Sequence, residues 1–204
     1  MNSFDDLDLP ALSPAHRYKL LSALVVPRPI ALVTSLNTDG VVNGAPFSFF
    51  NVVGEDPPTV MLSIGKEEGG RLKDTTTNIL NLKEFVVHIA DQSMLQALHD
   101  CGHPFAPEVS EIAATGLTVH PSLKIRVPSI VEAPVALECR LLEAVESSSR
   151  HVIFGEVVWV RLRKGLLNAE GMRINLEKHS PPARMGGGLY IRTDEVVTVK
   201  SSYS

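Results

Sequence analysis

The 204-residue chain is poor in cysteine and in aromatic residues, and it has no long uncharged apolar run. Its cysteines, Cys101 and Cys139, are too few and too far apart for a disulfide framework or a cysteine metal motif. A membrane-spanning helix needs about 18–20 consecutive apolar residues, and no run approaches that length. The opening stretch MNSFDDLDLP is acidic and polar, unlike a signal or transit peptide. We therefore expect a cytoplasmic protein without a membrane segment.

The sequence also lacks the common patterns for binding nucleic acids, dinucleotides and metals. Its net charge is -4, and no run of basic residues offers a surface for nucleic-acid phosphates. The glycine patterns GxGxxG and GxxxxGK(S/T) are absent. His99 and His103 have the spacing of helical metal ligands, but Gly102 and Pro104 interrupt that helix. We predict no metal site and no nucleic-acid partner.

Apolar alternation and turn signals predict a mainly β fold in one domain over residues 1–204. The predicted strands cover 30–36, 41–51, 59–64, 84–90, 135–145, 151–162 (with a bulge at Gly155) and, at the tail, 195–200. The predicted helices cover 14–24, 91–101 and 107–114. Residues 1–13 are expected to form a loose arm, and residues 103–134 a Pro- and Gly-rich insertion that covers the barrel.

The run KDTTTNI, from Lys73, marks the start of a further short helix. Two cations, Arg71 and Lys73, precede a series of threonine hydroxyls, and a helix start with such neighbours suits an anion such as phosphate. The alternative is that Asp74 caps the helix and the threonines only fill its first turn. The residues alone leave both readings open.

The segment PFSFFN places three phenylalanines within four positions around Ser48. Such a strand has apolar groups on both faces, which is common for a strand buried on both sides. It also suits a wall for a flat apolar ligand with a hydrogen-bonding rim.

Several motifs, in order, resemble the flavin reductase-like, FMN-binding split-barrel proteins. They are PRPIALVTS, DGVVNGAPFSFFNVV, DPPTVMLSI and KDTTTNI, followed by weaker matches in EFVVHIA, HVIFGEVVWV and RMGGGLY. The resemblance covers about residues 17–193. It implies a split β-barrel of antiparallel, Greek-key-like topology with short flanking helices, and a homodimer that holds two FMN molecules at the subunit interface.

The resemblance also implies the site residues. Those expected to bind FMN are Arg28, Thr34, Ser48, Phe49, Phe50, Asn51, Ser63, Arg71, Lys73, Asp74, Thr75, Thr76 and Tyr190. His151 matches a position near the flavin or the nicotinamide pocket and is the candidate catalytic residue. As a lone histidine at a strand start, it also suits a surface or capping role, and hydride transfer itself requires no proton donor.

The function implied is an FMN-dependent flavin reductase that uses NADH or NADPH. It would pass hydride to flavin N5 and electrons to free flavin or to a partner oxygenase. One alternative is an FMN-binding electron-transfer protein without a nicotinamide site. The other is a split-barrel binding module without catalytic activity.

Overall fold

The computed structural model describes residues 3–106 and 108–200 as strands, short helices and connecting loops. The strands are β1 (Ala31–Leu36), β2 (Val42–Phe47), β3 (Phe50–Glu55), β4 (Pro58–Gly65), β5 (Glu84–Ile89), β6 (Val119–His120), β7 (Ser129–Ile130), β8 (Val135–Glu146), β9 (Arg150–Leu162), β10 (Leu167–Asn168), β11 (Arg173–Ile174), β12 (Ala183–Arg184) and β13 (Tyr190–Ile191). The α-helices are α1 (Pro14–Leu24), α2 (Asp74–Leu82), α3 (Leu95–Asp100) and α4 (Glu111–Ala114). None of these helices has the length and apolar character needed to cross a membrane.

Seven strands form one antiparallel sheet in the order β2-β1-β5-β8-β9-β4-β3. Its two edge strands, β2 and β3, are consecutive in the chain, and only Ser48 and Phe49 separate them. The edges of the sheet must therefore meet at this corner, so the sheet curls on itself. The Ser63 N–H donates to the Phe49 carbonyl over 2.8 Å and fixes the corner to the end of β4.

Strand β1 shows why the sheet needs cover on both sides, because Ala31–Ser35 are all buried. Ala31 and Val33 belong to a core cluster with Phe85 and Ile153. Leu32 belongs to a second cluster formed with residues of α3 and α4. A strand buried on both faces reads as a continuous apolar run, as in PIALV.

Most predicted elements are present, and the helix at 14–24 is confirmed together with its Ser13 cap, which accepts from the His16 N–H over 3.2 Å. The described part of the arm, residues 3–13, contains only one short 3-10 turn, Leu9–Ala11. The helix predicted at 91–101 begins as a 3-10 turn and becomes α-helical at Leu95. The helix predicted at 107–114 is shorter, since α4 covers Glu111–Ala114 and Pro107 lies outside the described residues.

Three local predictions are wrong. The strand predicted over 41–51 is divided, because Ser48 and Phe49 form the corner between β2 and β3. Residues 195–200 form no strand: the segment has β-branched residues, but it is exposed and pairs with no neighbour among the described strands. Gly155 is not a bulge, because the pairing shifts between Glu138 and Cys139 and between Leu141 and Glu143. Gly155 instead allows close packing, since a Cβ there would lie 2.3 Å from Phe85 Cζ.

Buried polar side chains hold the stretch 103–134 against the sheet. Glu138, 1% exposed, accepts the Leu123 and Lys124 N–H groups over 2.8 and 2.7 Å. The fully buried His88 accepts the Ile130 N–H at Nε2, so its Nδ1 carries the proton and donates to the Leu32 carbonyl; both distances are 2.9 Å. Burial lowers the pKa of His88 from 6.5 to about 4. The imidazole is therefore neutral in the folded protein.

This burial makes the stability of the fold depend on pH. The contribution of His88 to the free energy of unfolding is fully present above pH 6.5 and is lost as the pH falls from 6.5 to about 4, because only the unfolded chain binds a proton there. The loss is on the order of 3 kcal/mol. We expect His88→Gln to be less stable than wild type near neutral pH and to lose less stability on acidification, as measured by urea unfolding. In His120→Gln, at an exposed position, the free energy of unfolding should change with pH as it does in wild type. The same pH dependence in His88→Gln would contradict the prediction.

Candidate functional site

A cavity of about 860 Å³ opens at the corner between β2 and β3. Its wall combines the end of β2, the end of β4, the start of β9, one side of α1 and the hairpin formed by β12 and β13. Cofactor and small-molecule sites have volumes of about 300–1,000 Å³. The cavity is therefore large enough for a mononucleotide-sized ligand.

The wall is basic and, among the described residues, contains no Asp or Glu. Its five cationic side chains are Arg28, Lys66, Lys73, Arg150 and Arg184. A concave surface with charge of one sign concentrates the electrostatic field and attracts ligands of opposite charge. The cavity suits an anionic ligand.

Arg28 is a buried residue of this wall, and only 7% of it is exposed. Its guanidinium donates to the carbonyls of Ser22, Val25 and Met185, the last two over 2.9 Å, and its Nε donates to Ser48 Oγ over 3.2 Å. Burial lowers its pKa, but an arginine remains charged at physiological pH. Arg28 thus connects the end of α1 to the corner while it keeps its positive charge.

Arg150 is the site residue that the sequence interpretation missed. Its Nε and one terminal nitrogen donate to the hydroxyl and carbonyl of Ser63 over 2.7 and 2.6 Å. Its guanidinium lies 4.6 Å from the centre of the Phe49 ring, within the range of cation–π attraction. Burial lowers the pKa of Arg150. The only signal in the sequence was its place after the turn Ser147–Ser149, at the start of a long strand.

His151, the predicted catalytic residue, is buried and does not line the cavity. Successive side chains of a strand point to opposite faces, so the approach of Arg150 to the cavity turns His151 away from it. His151 Nε2 lies 3.9 Å from a carboxylate oxygen of Glu146.

The predicted ring-binding segment divides into two parts. Ser48 and Phe49 line the cavity. Phe50 is buried in the core cluster of the sheet, and the exposed Asn51 accepts from the adjacent Val52 N–H with its own side chain. Of the remaining expected positions, Ser63 lines the cavity, whereas Thr34 is fully buried and its hydroxyl donates to the Pro128 carbonyl over 2.8 Å.

The predicted anion site at α2 is partly assembled. Lys73 is the N-cap residue of α2, so the expectation that Asp74 caps the helix is wrong; Asp74 is its first residue. Lys73 is exposed and lines the main cavity, and within the described part of the chain its side chain has no hydrogen-bond or ion-pair partner. Thr76 is buried and lines no cavity described here, and exposed Arg71 pairs with Glu67.

A smaller cavity of about 570 Å³ adjoins the main one and shares Lys73 with it. Thr75 lines this cavity and is hydrogen-bonded to the Asn43 amide over 3.0 Å. Arg71, Asp74 and Glu111 also line it. Glu111 accepts the Gly44 N–H over 2.9 Å, and burial raises the pKa of its carboxyl group. The smaller cavity has mixed charge, unlike the main one.

Tyr190, which is expected to bind FMN, lines the main cavity and belongs to a polar cluster that the sequence did not indicate. Its hydroxyl lies 2.9 Å from His99 Nδ1 and also binds the Arg184 guanidinium. Arg184 additionally lies 4.5 Å from the centre of the Tyr190 ring. The backbones of Arg184 and Arg28 exchange two hydrogen bonds of 3.0 and 2.8 Å, which attach the hairpin to the entry of β1.

Comparisons with known proteins agree with this architecture. The sequence model of one protein family, the flavin reductase like domain, matches residues 23–177. The Pseudomonas fluorescens 2-nitrobenzoate 2-nitroreductase NbaA is 37% identical with a TM-score of 0.89, and the match covers 98% of each chain. Nitrilotriacetate monooxygenase component B from Bacillus cereus is 34% identical with a TM-score of 0.91, covering 98% of this chain and 100% of that one.

A third structure, from Shewanella frigidimarina NCIMB 400, is described as having a split barrel domain. It is 20% identical with a TM-score of 0.82, and the match covers 95% of this chain and 96% of that one. This likeness concerns the fold. It confirms the predicted mainly β split barrel.

The geometry also predicts inert thiols. Cys101, 2% exposed, borders the smaller cavity, and Cys139 is fully buried in the core; burial raises the pKa of both. We expect neither thiol of the native protein to react with a chromogenic disulfide reagent, because access and thiolate fraction are both low. The same protein in denaturant should release the colour expected for both thiols. Rapid reaction of a thiol in the native protein would contradict this expectation.

Proposed function

Because the chain belongs to the flavin reductase-like family, whose members are flavin-dependent oxidoreductases, we propose that it binds FMN in the main cavity and oxidises NADH or NADPH. The observation that carries this proposal is a wall with five basic side chains and, among the described residues, no carboxylate; Lys66 is paired with Glu146 outside the wall, and the other four have no carboxylate partner there. A phosphate dianion gains from such a field, whereas a neutral ligand would not need it.

Lys73 is our candidate for the phosphate. Its ammonium group has no hydrogen-bond or ion-pair partner within the described residues. Lys73 also stands at the start of α2, where the helix dipole favours an anion. A phosphate would therefore gain an ion pair without displacing an existing one. Arg71, already paired with Glu67, would contribute less.

The corner between β2 and β3 is our candidate for the ring. Phe49 offers an apolar surface, while Ser48 and Ser63 supply polar groups beside it. When bound, the flavin supplies the redox chemistry, in which it accepts hydride from the nicotinamide and delivers electrons to an acceptor. Arg28 and Arg150 keep positive charge near the corner, and this charge would stabilise an anionic reduced cofactor.

The electron acceptor and the assembly state form the rest of the proposal. The Bacillus cereus neighbour is a monooxygenase component B, which supports free flavin or a partner oxygenase as the acceptor. We also propose a homodimer located in the cytoplasm. Exposed Val52, Val53, Leu142 and Trp159 on β3, β8 and β9 support burial against a second copy.

A second candidate function is direct reduction of a nitroaromatic carboxylate. The Pseudomonas fluorescens neighbour is a 2-nitrobenzoate 2-nitroreductase. In the cavity, Arg184 lies in the hairpin and Lys73 at the start of α2, so a second anionic group could be accommodated besides the phosphate.

An absorption spectrum of the purified protein, taken after excess FMN has been removed, tests the proposed function. We expect flavin bands that disappear on anaerobic addition of NADH or NADPH. Bound flavin that only dithionite reduces would favour the electron-transfer alternative. A colourless protein that cannot be reconstituted with FMN would favour the non-catalytic module and overturn the proposal.

Lys73→Ala tests the phosphate site. Loss of a charge-assisted interaction costs about 1.5–3 kcal/mol, so we expect at least a tenfold higher Kd for FMN in a fluorescence titration. Riboflavin, which lacks the phosphate, should lose much less affinity. Lys164→Ala, at an exposed lysine that lines neither cavity, is the matched control. An unchanged Kd for FMN in Lys73→Ala would remove this lysine from the site.

A further inference from the structure

The side chains of His99, Tyr190 and Arg184 form a hydrogen-bonded cluster in the wall of the main cavity. All three side chains line the main cavity and are half-buried, so a bound molecule can reach them. They come from α3 and from the two strands of the hairpin. A histidine in a cavity wall that is hydrogen-bonded to a second titratable group can take part in proton transfer.

The hydrogen bonds of the cluster fix one donor and leave the other to the tautomer of His99. Arginine can only donate, so the Tyr190 oxygen accepts from Arg184. The Tyr190 hydroxyl lies 2.9 Å from His99 Nδ1, and the tautomer of the imidazole decides which of the two groups donates. Donation by the phenol to Nδ1 requires the tautomer that carries its proton at Nε2. The described residues provide no hydrogen-bond partner for Nε2.

We propose that His99 is a catalytic acid: its Nε2–H protonates an organic acceptor held in the cavity, and Tyr190 returns a proton to Nδ1. This inference rests on the proposed function, because the electrons come from the reduced flavin. Transfer to free flavin or to an oxygenase would leave this acid unused. The acid suits the second candidate function, direct two-electron reduction of a nitroaromatic carboxylate, because a nitro oxygen must be protonated and the basic wall attracts the carboxylate.

The proton and electron count balances for a nitro group. The hydride brings two electrons and one hydrogen, His99 Nε2 gives one proton to a nitro oxygen, one N–O bond breaks, and nitroso compound and water leave. In the same step the Tyr190 proton moves to Nδ1, so the imidazole stays neutral in its other tautomer. The phenolate that remains faces Arg184, which stabilises its charge. A proton from solvent then binds Nε2, and the Nδ1 proton returns to the phenolate, which restores both groups.

Contacts within the protein, mainly those of the hairpin, hold the three side chains of the cluster together in the absence of flavin. Arg184 is paired through its backbone with Arg28 and also donates to the Gly187 carbonyl within the hairpin turn. His99 packs edge-on against Tyr190, with ring centres 5.8 Å apart. The tautomer of His99 is therefore a property of the protein alone and can be measured on it.

Nitrogen NMR of histidine-labelled protein, with the His99 signals assigned by their absence in His99→Gln, provides the first test. We expect the Nε2–H tautomer in wild type and a shift in the tautomer ratio in Tyr190→Phe. Predominance of the Nδ1–H tautomer in wild type would mean that His99 donates to Tyr190 instead of accepting from it, and would overturn the proposal.

Kinetics with two acceptors provide the second test. Flavin-loaded protein is reduced with NADH or NADPH and mixed with 4-nitrobenzoate, which needs a proton, or with ferricyanide, which takes only electrons. We expect the ratio of the nitrobenzoate rate to the ferricyanide rate to fall at least tenfold in Tyr190→Phe and His99→Gln, since general acids contribute about 10²–10⁴-fold. His120→Gln, at an exposed histidine that lines neither cavity, is the matched control and should keep the wild-type ratio.

The two acceptors distinguish the possible failures. If the wild-type protein reduces ferricyanide but not 4-nitrobenzoate, the proposal that His99 is a catalytic acid is overturned and the proposed function stands. The same conclusion follows if both variants keep the wild-type ratio. Absence of flavin reduction, and hence of any ferricyanide reduction, would overturn the proposed function and the acid together.

Discussion

The turn at Ser48 and Phe49 is the constraint on which the rest of the site depends. It joins the two edge strands of one sheet, so the sheet has to curl, and the same turn forms the wall of the cavity. Arg28 approaches the turn from one side through Ser48 Oγ, and Arg150 approaches it through the Phe49 ring. Ser63 donates to the Phe49 carbonyl and accepts from Arg150, so β4 and β9 are tied to the corner as well.

The chemistry of the partners explains how the cavity keeps its charge. Arg28 is hydrogen-bonded to carbonyls and to a hydroxyl, Arg150 to Ser63, and Arg184 to a phenol and a carbonyl. These neutral acceptors satisfy the donors and fix the guanidinium groups, but they do not cancel the charge as a carboxylate would. Burial removes water from the guanidinium groups, and this desolvation lowers the pKa of Arg28 and Arg150. An incoming anion can then interact with several preorganised cations at once.

The sequence predicted what depends on local pattern. The Ser13 cap, the long strands of the sheet and the start of a helix near Lys73 follow from periodicity and capping chemistry, and all are present. The motifs of the family placed Ser48, Phe49 and Tyr190 in one cavity although they are distant in sequence. What failed depended on position within a strand or on pairing. Thr34 was assigned to the ligand, but β1 is buried on both faces, and no local pattern tells which side of such a strand is accessible.

Arg150 and His151 show the same limit at neighbouring positions. A one-residue difference in a strand reverses the face that a side chain occupies, and the family resemblance pointed to the histidine. The tail at 195–200 has the composition of a strand but no partner within the described sheet. Strand formation requires a neighbour as well as propensity, and the neighbour is set by the fold rather than by the segment.

Arg28 also explains why residues at opposite ends of the chain can act on one ligand. Its side chain reaches the corner at Ser48, while its backbone exchanges hydrogen bonds with Arg184 in the hairpin that carries Tyr190. Movement of the hairpin would therefore strain the entry to β1 and, through the guanidinium, the corner. Because these links are short, the distance between the corner and the cluster at His99 is fixed by the covalent and hydrogen-bonded frame of Arg28. The corner proposed for the ring and the hairpin that carries Tyr190 are thereby joined through one residue, Arg28, by hydrogen bonds within the protein itself.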